Sequence, residues 1–319
     1  MNDITLVVLI GLAALTLYAL FGGADFGGGV WDLLAAGPRR DAQREAISHA
    51  MGPVWETNHV WLIFVIVLLF TCFPAAFAAL SVGLYVPLTL VLIGIILRGA
   101  AFAFRAQAYR DERLVQTMGR IFGMASIITP FFFGAAVGGL AAGKFAWYSP
   151  FALGVGVFAV ALCAQIAAVF LTLETDGALR EDFRARAIAA TLAVAAMASL
   201  TPWIAALTKP ATFAALTAHG TLLDVALTGL VAVALLAGLW LRRYALARVL
   251  VACETVGILV GWYIAQAGFL IPGITTLAAA ASPATTLRVF IWLVAIGALF
   301  LLPSLLLLFG LFKASRRAG

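Results

Sequence analysis

Nine long apolar segments recur along this chain, and they constrain its fold more than any other feature. A helix needs about 20 apolar residues to cross the hydrocarbon core of a bilayer, and each segment meets or approaches that length. The segments are residues 4–24, 53–73, 76–103, 118–142, 150–173, 187–207, 219–241, 246–270 and 286–312. The sequence therefore predicts an all-α, polytopic membrane protein in which residues 1–319 form a single integral membrane domain. Spans 2 and 3 meet tightly at Phe73-Pro74, so counting them as one unit would give eight spans.

The composition and the distribution of charge agree with this prediction. Hydrophobic residues make up 64% of the 319 positions and charged residues 11%, which separates the chain from soluble domains. The formal net charge of +6 would also fit a protein that binds nucleic acid. However, 17 of the 20 Lys and Arg residues lie at the ends of spans that face the cytoplasm if the N-terminus is outside. This bias follows the positive-inside rule and predicts nine spans, an outer N-terminus, a cytoplasmic C-terminus and no nucleic-acid partner.

The segments between the spans are short, and none resembles a soluble domain. The first span has no basic leader and no small-residue cleavage site, so it is predicted to be retained rather than cleaved as a signal peptide. The longest cytoplasmic connections, residues 35–50, 104–117 and 174–186, mix both signs of charge. They are predicted to be surface turns or short helices.

Ionisable side chains at membrane depth gather near the cytoplasmic ends of the first two spans. Asp25 lies about 30 Å along span 1 at a rise of 1.5 Å per residue, close to the cytoplasmic boundary. Glu56 and His59 enter span 2 from the same side and share one helical face with Trp55. Two carboxylates and an imidazole at one depth predict the entrance of a proton path from the cytoplasm. The alternative is a structural hydrogen-bond cluster that holds span 2 against span 1, and spacing alone does not separate the two.

Other polar residues extend these alternatives. Five glycines flank Asp25 and would let a second helix approach closely, whereas Asp32, further out and near Arg39, is predicted to be structural. Arg98, near the end of span 3, is predicted to pair with Asp25 or Glu56 or to reach the lipid headgroups.

The second half of the chain has one candidate functional acid and one interface acid. Glu254, about two turns into span 8, is either a buried functional acid or a structural hydrogen-bonding group. Asp224, about one turn into span 7 from the outside, is predicted to lie in the membrane interface.

The histidines give no sign of a redox centre in this chain. His49, His59 and His219 are the three available, and no two of them form a close pair on one helix. The five methionines show no arrangement that would complete a haem site. The chain is therefore predicted to bind no metal and no cofactor of its own.

Four motifs in the first three spans suggest a family. They are Asp25-Phe-Gly-Gly-Gly, Gly-Pro-Val-Trp-Glu-Thr-Asn-His-Val-Trp-Leu-Ile over residues 52–63, Phe73-Pro74, and Arg98-Gly-Ala-Ala-Phe-Ala-Phe-Arg105. Together and in this order they resemble subunit II of cytochrome bd-type quinol oxidases. Spans 4 to 9 agree with that family in number, length and orientation but add little sequence evidence.

The resemblance implies a fold of two four-helix bundles with a peripheral ninth helix. It implies a heterodimer in the bacterial cytoplasmic (inner) membrane, with a haem-bearing subunit I that carries haems b and d, or b only. The complex would oxidise quinol, reduce oxygen to water with protons from the cytoplasm, and so build a proton-motive force. A small single-span subunit, membrane lipid and quinone are further candidate partners. The present chain would be the haem-free member of the respiratory complex.

The resemblance also suggests roles for individual residues. It implies proton delivery by Asp25 and Glu56 and packing of Trp55 at the subunit interface. The positions of His59 and Glu254 in the spans make them further candidates for the path. The remaining residues are predicted to have structural or interface roles: Asn58, Trp61, Arg98, Arg105 and Asp32. Two departures stand out, because some relatives have an acid where this chain has Ala103 and some have Gln in place of His59. A proton-coupled transporter that uses Asp25, Glu56 and Glu254 is the alternative from another class, and a purely structural assembly subunit is the third.

Overall fold

The structure, a computed structural model, describes residues 2–107 and 112–315. Within these ranges it describes the side chains except those of residues 51–57, 106–107, 112, 210, 302, 305–306 and 308–315. The predicted all-α architecture is confirmed. In the described ranges, eight helices are long and apolar enough to cross a membrane, and a ninth span is formed if the bent pair Asn58–Cys72 and Pro74–Gly83 is counted as one.

The first half of the chain forms five helices. These are α1 (Asp3–Leu33), α2 (Arg40–Cys72), α3 (Pro74–Gly83), α4 (Tyr85–Gln107) and α5 (Glu112–Ala141). Asn2 caps α1, since its side-chain oxygen accepts the Thr5 N–H at 2.8 Å. The predicted span 76–103 is wrong as a single helix: it is interrupted at Leu84, and α3 turns 119° away from α2. Proline at the first position of α3 accounts for the break from α2, because it cannot donate to a continuing helix.

The second half of the chain forms seven helices and a small hairpin. These are α6 (Pro150–Glu174), α7 (Gly177–Thr208), α8 (Pro210–Leu216), α9 (His219–Trp240), α10 (Tyr244–Ala265), α11 (Leu277–Ala280) and α12 (Ala284–Ser315). Between α10 and α11, β1 (Phe269–Ile271) pairs antiparallel with β2 (Thr275–Thr276). Span 8 therefore ends at Ala265 rather than at residue 270.

The long helices are arranged as two groups of four with one helix at the side. The first group is α1, α2, α4 and α5, and the second is α6, α7, α9 and α10. The groups join mainly where α6 packs against α1 and α5, while α12 contacts α1 and α2. Arg288 at the start of α12 pairs with Asp3 at the start of α1 across 2.9 Å. This is the arrangement that the family resemblance implied.

Most of the cytoplasmic connections that were predicted to be surface turns or short helices are helical. Residues 40–50 form the first part of α2, and residues 177–186 form the first part of α7. These extensions persist because they share an apolar stripe, in which Ile47 packs with Leu171 and Phe183. At their surface Arg39 binds Asp182 in a bidentate pair, with Nε–Oδ2 at 2.7 Å and Nη2–Oδ1 at 2.5 Å.

Candidate functional site

A buried ion pair between Asp25 and Arg98 occupies the centre of the first group of helices. Arg98 Nη1 donates to Asp25 Oδ2 at 2.6 Å, and Nη2 donates to Oδ1 at 2.5 Å and to the Asp25 carbonyl at 2.9 Å. Asp25 is 0% exposed and Arg98 2% exposed. Of the three alternatives predicted for Arg98, the pairing with Asp25 is the one confirmed. Such bidentate, charge-assisted contacts fix both groups in orientation.

Each of the four helices of the first group contributes one polar side chain to this cluster. Asn58 of α2 donates its amide N–H to Asp25 Oδ2 at 2.6 Å, and Arg98 Nε donates to Ser126 Oγ of α5 at 2.9 Å. Phe122 and Phe26 lie against the guanidinium, 4.5 and 5.2 Å from its carbon to their ring centres. Arg98 is therefore hydrogen-bonded and enclosed, which offsets the cost of burying its charge.

Glycines allow the helices to close around Asp25, as predicted. A Cβ at Gly29 would overlap the Ser126 hydroxyl of α5, and a Cβ at Gly27 would overlap the Cys163 carbonyl of α6. The same stretch of α1 therefore contacts both the first group and the second. α1 continues eight residues beyond Asp25 to Leu33, about 12 Å of helix.

The remaining proton-path candidates of α2 lie near this cluster. His59 follows Asn58 in the sequence and is half-buried. The backbone of Trp55 and Glu56 is helical, but their side chains lie outside the described residues. Trp61 is half-buried, and Ala103 is exposed. Asn58 Oδ1 is buried and has no hydrogen-bond partner in the described ranges, so its acceptor capacity is unused.

A second ionic cluster surrounds Asp32, two helical turns beyond Asp25. Arg105 Nη1 donates to Asp32 Oδ2 at 3.0 Å, and Arg44 Nε donates to the Asp32 carbonyl at 3.2 Å. The partner of Asp32 is thus Arg105 rather than Arg39, which was predicted to lie near it and binds Asp182 instead. Partial burial lowers the pKa of the Arg44 guanidinium, and the nearby Asp32 carboxylate opposes that shift.

An open depression of about 620 Å³ adjoins the Asp32 cluster. The residues that line it are mostly polar and include Arg44, His49 and Arg105. The depression lies at the end of the molecule that the charge pattern places in the cytoplasm. Water in the depression would reach Arg44 and Arg105, the two side chains that contact Asp32.

Glu254 lies in the second group of helices and is not part of the Asp25 cluster. It is 3% exposed, and its Oε2 accepts a hydrogen bond from Gln165 Nε2 of α6 at 2.8 Å. The same amide nitrogen lies 3.2 Å from the hydroxyl of Thr191 on α7. Three helices thus meet at this polar cluster, which stands about 15 Å from the start of α10.

Apart from Asn58, sequence reasoning missed the uncharged members of the Asp25 and Glu254 clusters. Ser126, Gln165 and Thr191 are each 0% exposed and each bond a charged or ionisable side chain or its partner. A buried amide or hydroxyl in an apolar span is an available signal, but Ser and Thr also bond to their own helix backbone. Nothing in the sequence indicates which of the many hydroxyls faces a charged group.

The described residues hold no group of three or more His, Cys, Asp or Glu side chains placed to bind a metal ion. Of the three histidines, His49 lines the depression, His59 is half-buried and His219 is exposed at the start of α9. The polar clusters instead combine carboxylates with guanidinium, amide and hydroxyl groups.

Comparison with known proteins adds a family. The family model for cytochrome bd terminal oxidase subunit II matches residues 2–312. A cytochrome bd ubiquinol oxidase subunit 2 from Bacillus subtilis is 28% identical over 174 residues, 51% of this chain and 51% of the relative. A cytochrome bd-I ubiquinol oxidase subunit 2 from Escherichia coli is 28% identical over 205 residues, 59% of this chain and 53% of the relative. The matches thus span about half the length of these curated relatives.

A solved structure shares the fold over the whole chain. A chain of the bd oxidase from Geobacillus thermodenitrificans superposes with a TM-score of 0.81 at 21% identity, covering 98% of this chain and 99% of that one. The likeness concerns the arrangement of the helices.

Proposed function

Because the chain belongs to the cytochrome bd terminal oxidase subunit II family, we propose that it is the haem-free subunit II of a quinol:oxygen oxidoreductase. Its partner is the haem-bearing subunit I, which carries haems b and d, or b only, and performs the electron transfer. The complex lies in the bacterial cytoplasmic membrane, oxidises quinol and reduces oxygen to water. The family assignment replaces the alternative of a proton-coupled transporter.

The chemical task proposed for this chain is to deliver protons from the cytoplasm towards the oxygen-reduction site. The observation that carries this proposal is the Asp25–Arg98–Asn58 cluster, a buried ion pair next to the half-buried His59. Because a guanidinium and an amide hold the Asp25 carboxylate in orientation, the role proposed for Asp25 is to position the polar groups at the inner end of the path. The exchanging groups are then His59 and Glu56, which stand one turn apart on α2.

The entrance proposed for this path is the depression beside Asp32. Polar side chains of α2 and α4 line it, and the Asp32 cluster lies between it and Asp25 along α1. Glu254, the fourth residue predicted for the path, lies in the second group of helices and shares no hydrogen bond or ion pair with Asp25 among the described residues. The proposed path therefore runs through the first group of helices alone.

The test uses the complete complex, purified through a tag on this chain. Asp25→Asn, Glu56→Gln and His59→Gln are compared for quinol-driven oxygen consumption and for proton uptake from the cytoplasmic side. Loss of a proton-transfer group is expected to slow turnover by roughly tenfold or more, because such groups contribute about a hundredfold or more to a rate. Asp3→Asn, at the opposite end of α1, is the matched control and is expected to turn over normally.

The outcomes distinguish a proton path through this chain, a purely structural role and the absence of a haem-bearing partner. Slow turnover in complexes with full haem content supports a proton path through this chain. Normal turnover of both Glu56→Gln and His59→Gln in assembled complexes would leave a purely structural role. Absence of haem from every preparation that contains this chain would overturn the proposed partnership itself.

A further inference from the structure

The Glu254 cluster differs from the Asp25 cluster in having no cation. Asp25 faces a guanidinium, whereas no ion pair in the described ranges includes Glu254. Among the described residues its hydrogen-bond partner is the Gln165 amide, while the Thr191 hydroxyl donates to the Ala187 carbonyl at 2.8 Å. A buried carboxylate without a cation is costly, and the usual relief is to bind a proton. The site is therefore suited to a neutral carboxylic acid.

An unused acceptor stands beside this carboxyl group. Gln165 is 0% exposed, and its Oε1 has no partner in the described ranges while its Nε2 serves Glu254 and Thr191. A buried amide oxygen of this kind is normally satisfied by a protein donor or an ordered water. A water on Oε1 would stand next to Glu254 and provide a proton donor and acceptor for it.

Polar side chains continue from Glu254 in one direction along α10. Glu254, Gly257 and Gly261 share one face of the helix, at positions i, i+3 and i+7. The Thr228 hydroxyl of α9 occupies the place of a Cβ at Gly257, and the Asp224 carboxyl occupies that place at Gly261. At 1.5 Å per residue, these groups stand about 4.5 and 10.5 Å beyond Glu254 along α10. The two glycines leave room for the oxygens between the helices.

The other direction is closed by apolar packing. Val251 and Ala247, the turns of α10 before Glu254, are 0% exposed and pack with Leu235 and Leu239 of α9. Ala24 of α1 belongs to the same apolar cluster, and the neighbouring Asp25 is paired with Arg98. The opening is thus at the end where α9 begins, which the charge pattern predicts to face outward. His219 and Asp224 are the titratable groups of α9 at that end.

We propose that Asp224, Thr228 and Glu254 form an outward-facing proton-exchange site, with Glu254 as its buried store. A proton from hydronium in the outer solution passes by Asp224 and the Thr228 hydroxyl, through intervening water, to a Glu254 oxygen. Water is left outside, and no other bond changes. This site is separate from the path through the first group of helices and does not depend on it.

The test is infrared spectroscopy of the complete complex in lipid nanodiscs. The carbonyl band of a protonated carboxylic acid is recorded, together with its shift on transfer to D₂O. Glu254→Gln is expected to remove one such band, while Glu174→Gln, an exposed acid on α6, leaves it in place. Asp224→Asn and Thr228→Val are expected to keep the band and to slow its deuterium exchange by about tenfold, as for loss of a proton-transfer group.

Sidedness and function are checked on the same preparations. In sealed vesicles a pH step on the side of the α9 start is expected to change the band first, and a step on the opposite side to act later. A wild-type complex without a Glu254 band would overturn the proposal, as would exchange that is unchanged in both Asp224→Asn and Thr228→Val. If the complex with Glu254→Gln does not assemble, Glu254→Asp, which keeps a carboxylic acid at this position, is used in its place. Oxygen consumption of each variant is recorded in parallel, so failure of the oxidase proposal would appear there and not in the band.

Discussion

Replacing Arg98 by methionine is expected to destabilise the protein by about 3 to 5 kcal/mol, the usual cost of leaving one partner of a buried pair without the other. The guanidinium makes four hydrogen bonds, three to Asp25 and one to Ser126. Methionine fills much of the space between Phe26 and Phe122 but leaves Asp25 as an unpaired, fully buried carboxylate. Arg288→Met is the matched control, because Arg288 is 69% exposed in its pair with Asp3. An exposed pair contributes only about 0 to 1 kcal/mol.

A double variant tests whether the unpaired charge is the cause. Arg98→Met combined with Asp25→Leu removes both charges, and apolar replacement of a whole buried pair is often neutral or stabilising. The double variant is therefore expected to be at least about 2 kcal/mol more stable than Arg98→Met alone. Asn58 loses its acceptor in this variant, which limits the recovery.

The assay is reversible unfolding of the purified protein in mixed micelles by increasing fractions of sodium dodecyl sulfate. Helical circular dichroism follows the transition and gives the free energy of unfolding for each variant. A double variant whose loss equals the sum of the two single losses would refute the argument, since the pair would then contribute through packing and not through charge compensation.

Two further predictions use the same unfolding assay. Gly27→Ala is expected to lower the free energy of unfolding by about 1 to 3 kcal/mol, because its Cβ would overlap the Cys163 carbonyl. Gly297→Ala is the control: its Cβ meets open space, so the variant is expected to be neutral or slightly stabilising. Equal effects of the two variants would contradict the close approach of α1 and α6. Arg105→Gln is expected to cost about 1 kcal/mol, since Arg105 is partly exposed and Asp32 keeps its contact with Arg44; a loss as large as that of Arg98→Met would contradict this ranking of the two clusters.

The transmembrane segments were predictable from sequence because length and hydropathy determine which segments can cross a bilayer. The ends of the helices were not, as α2 shows. Residues 40–50 are polar in composition, and their helix is stabilised by Ile47 packing on Phe183, more than a hundred residues away. A contact of that separation leaves no local signal. The break at Leu84 differs, because a local signal was present: Gly83 directly precedes it and Pro87 lies in the first turn of α4.

The candidate site was predictable in its charged residues and not in its connections. Asp25 and Arg98 stand out because charges are rare in apolar spans, and the flanking glycines indicate close packing. Arg39 illustrates the limit: its proximity in sequence suggested Asp32, but α7 brings Asp182 into bidentate range. Glu254 was found by the same rule as Asp25, yet the absence of a cation near it emerges only from three-dimensional packing.

The break between α2 and α3 has a consequence for how the chain is made. The Thr71 and Cys72 carbonyls at the end of α2 have no onward helix to bond. They accept instead from Ser282, whose hydroxyl reaches Thr71 at 2.9 Å and whose N–H reaches Cys72 at 2.8 Å. Ser282 lies two residues before α12 and is synthesised 211 residues after Thr71. During translation the end of α2 therefore gains these two hydrogen bonds only after almost the whole chain has been made.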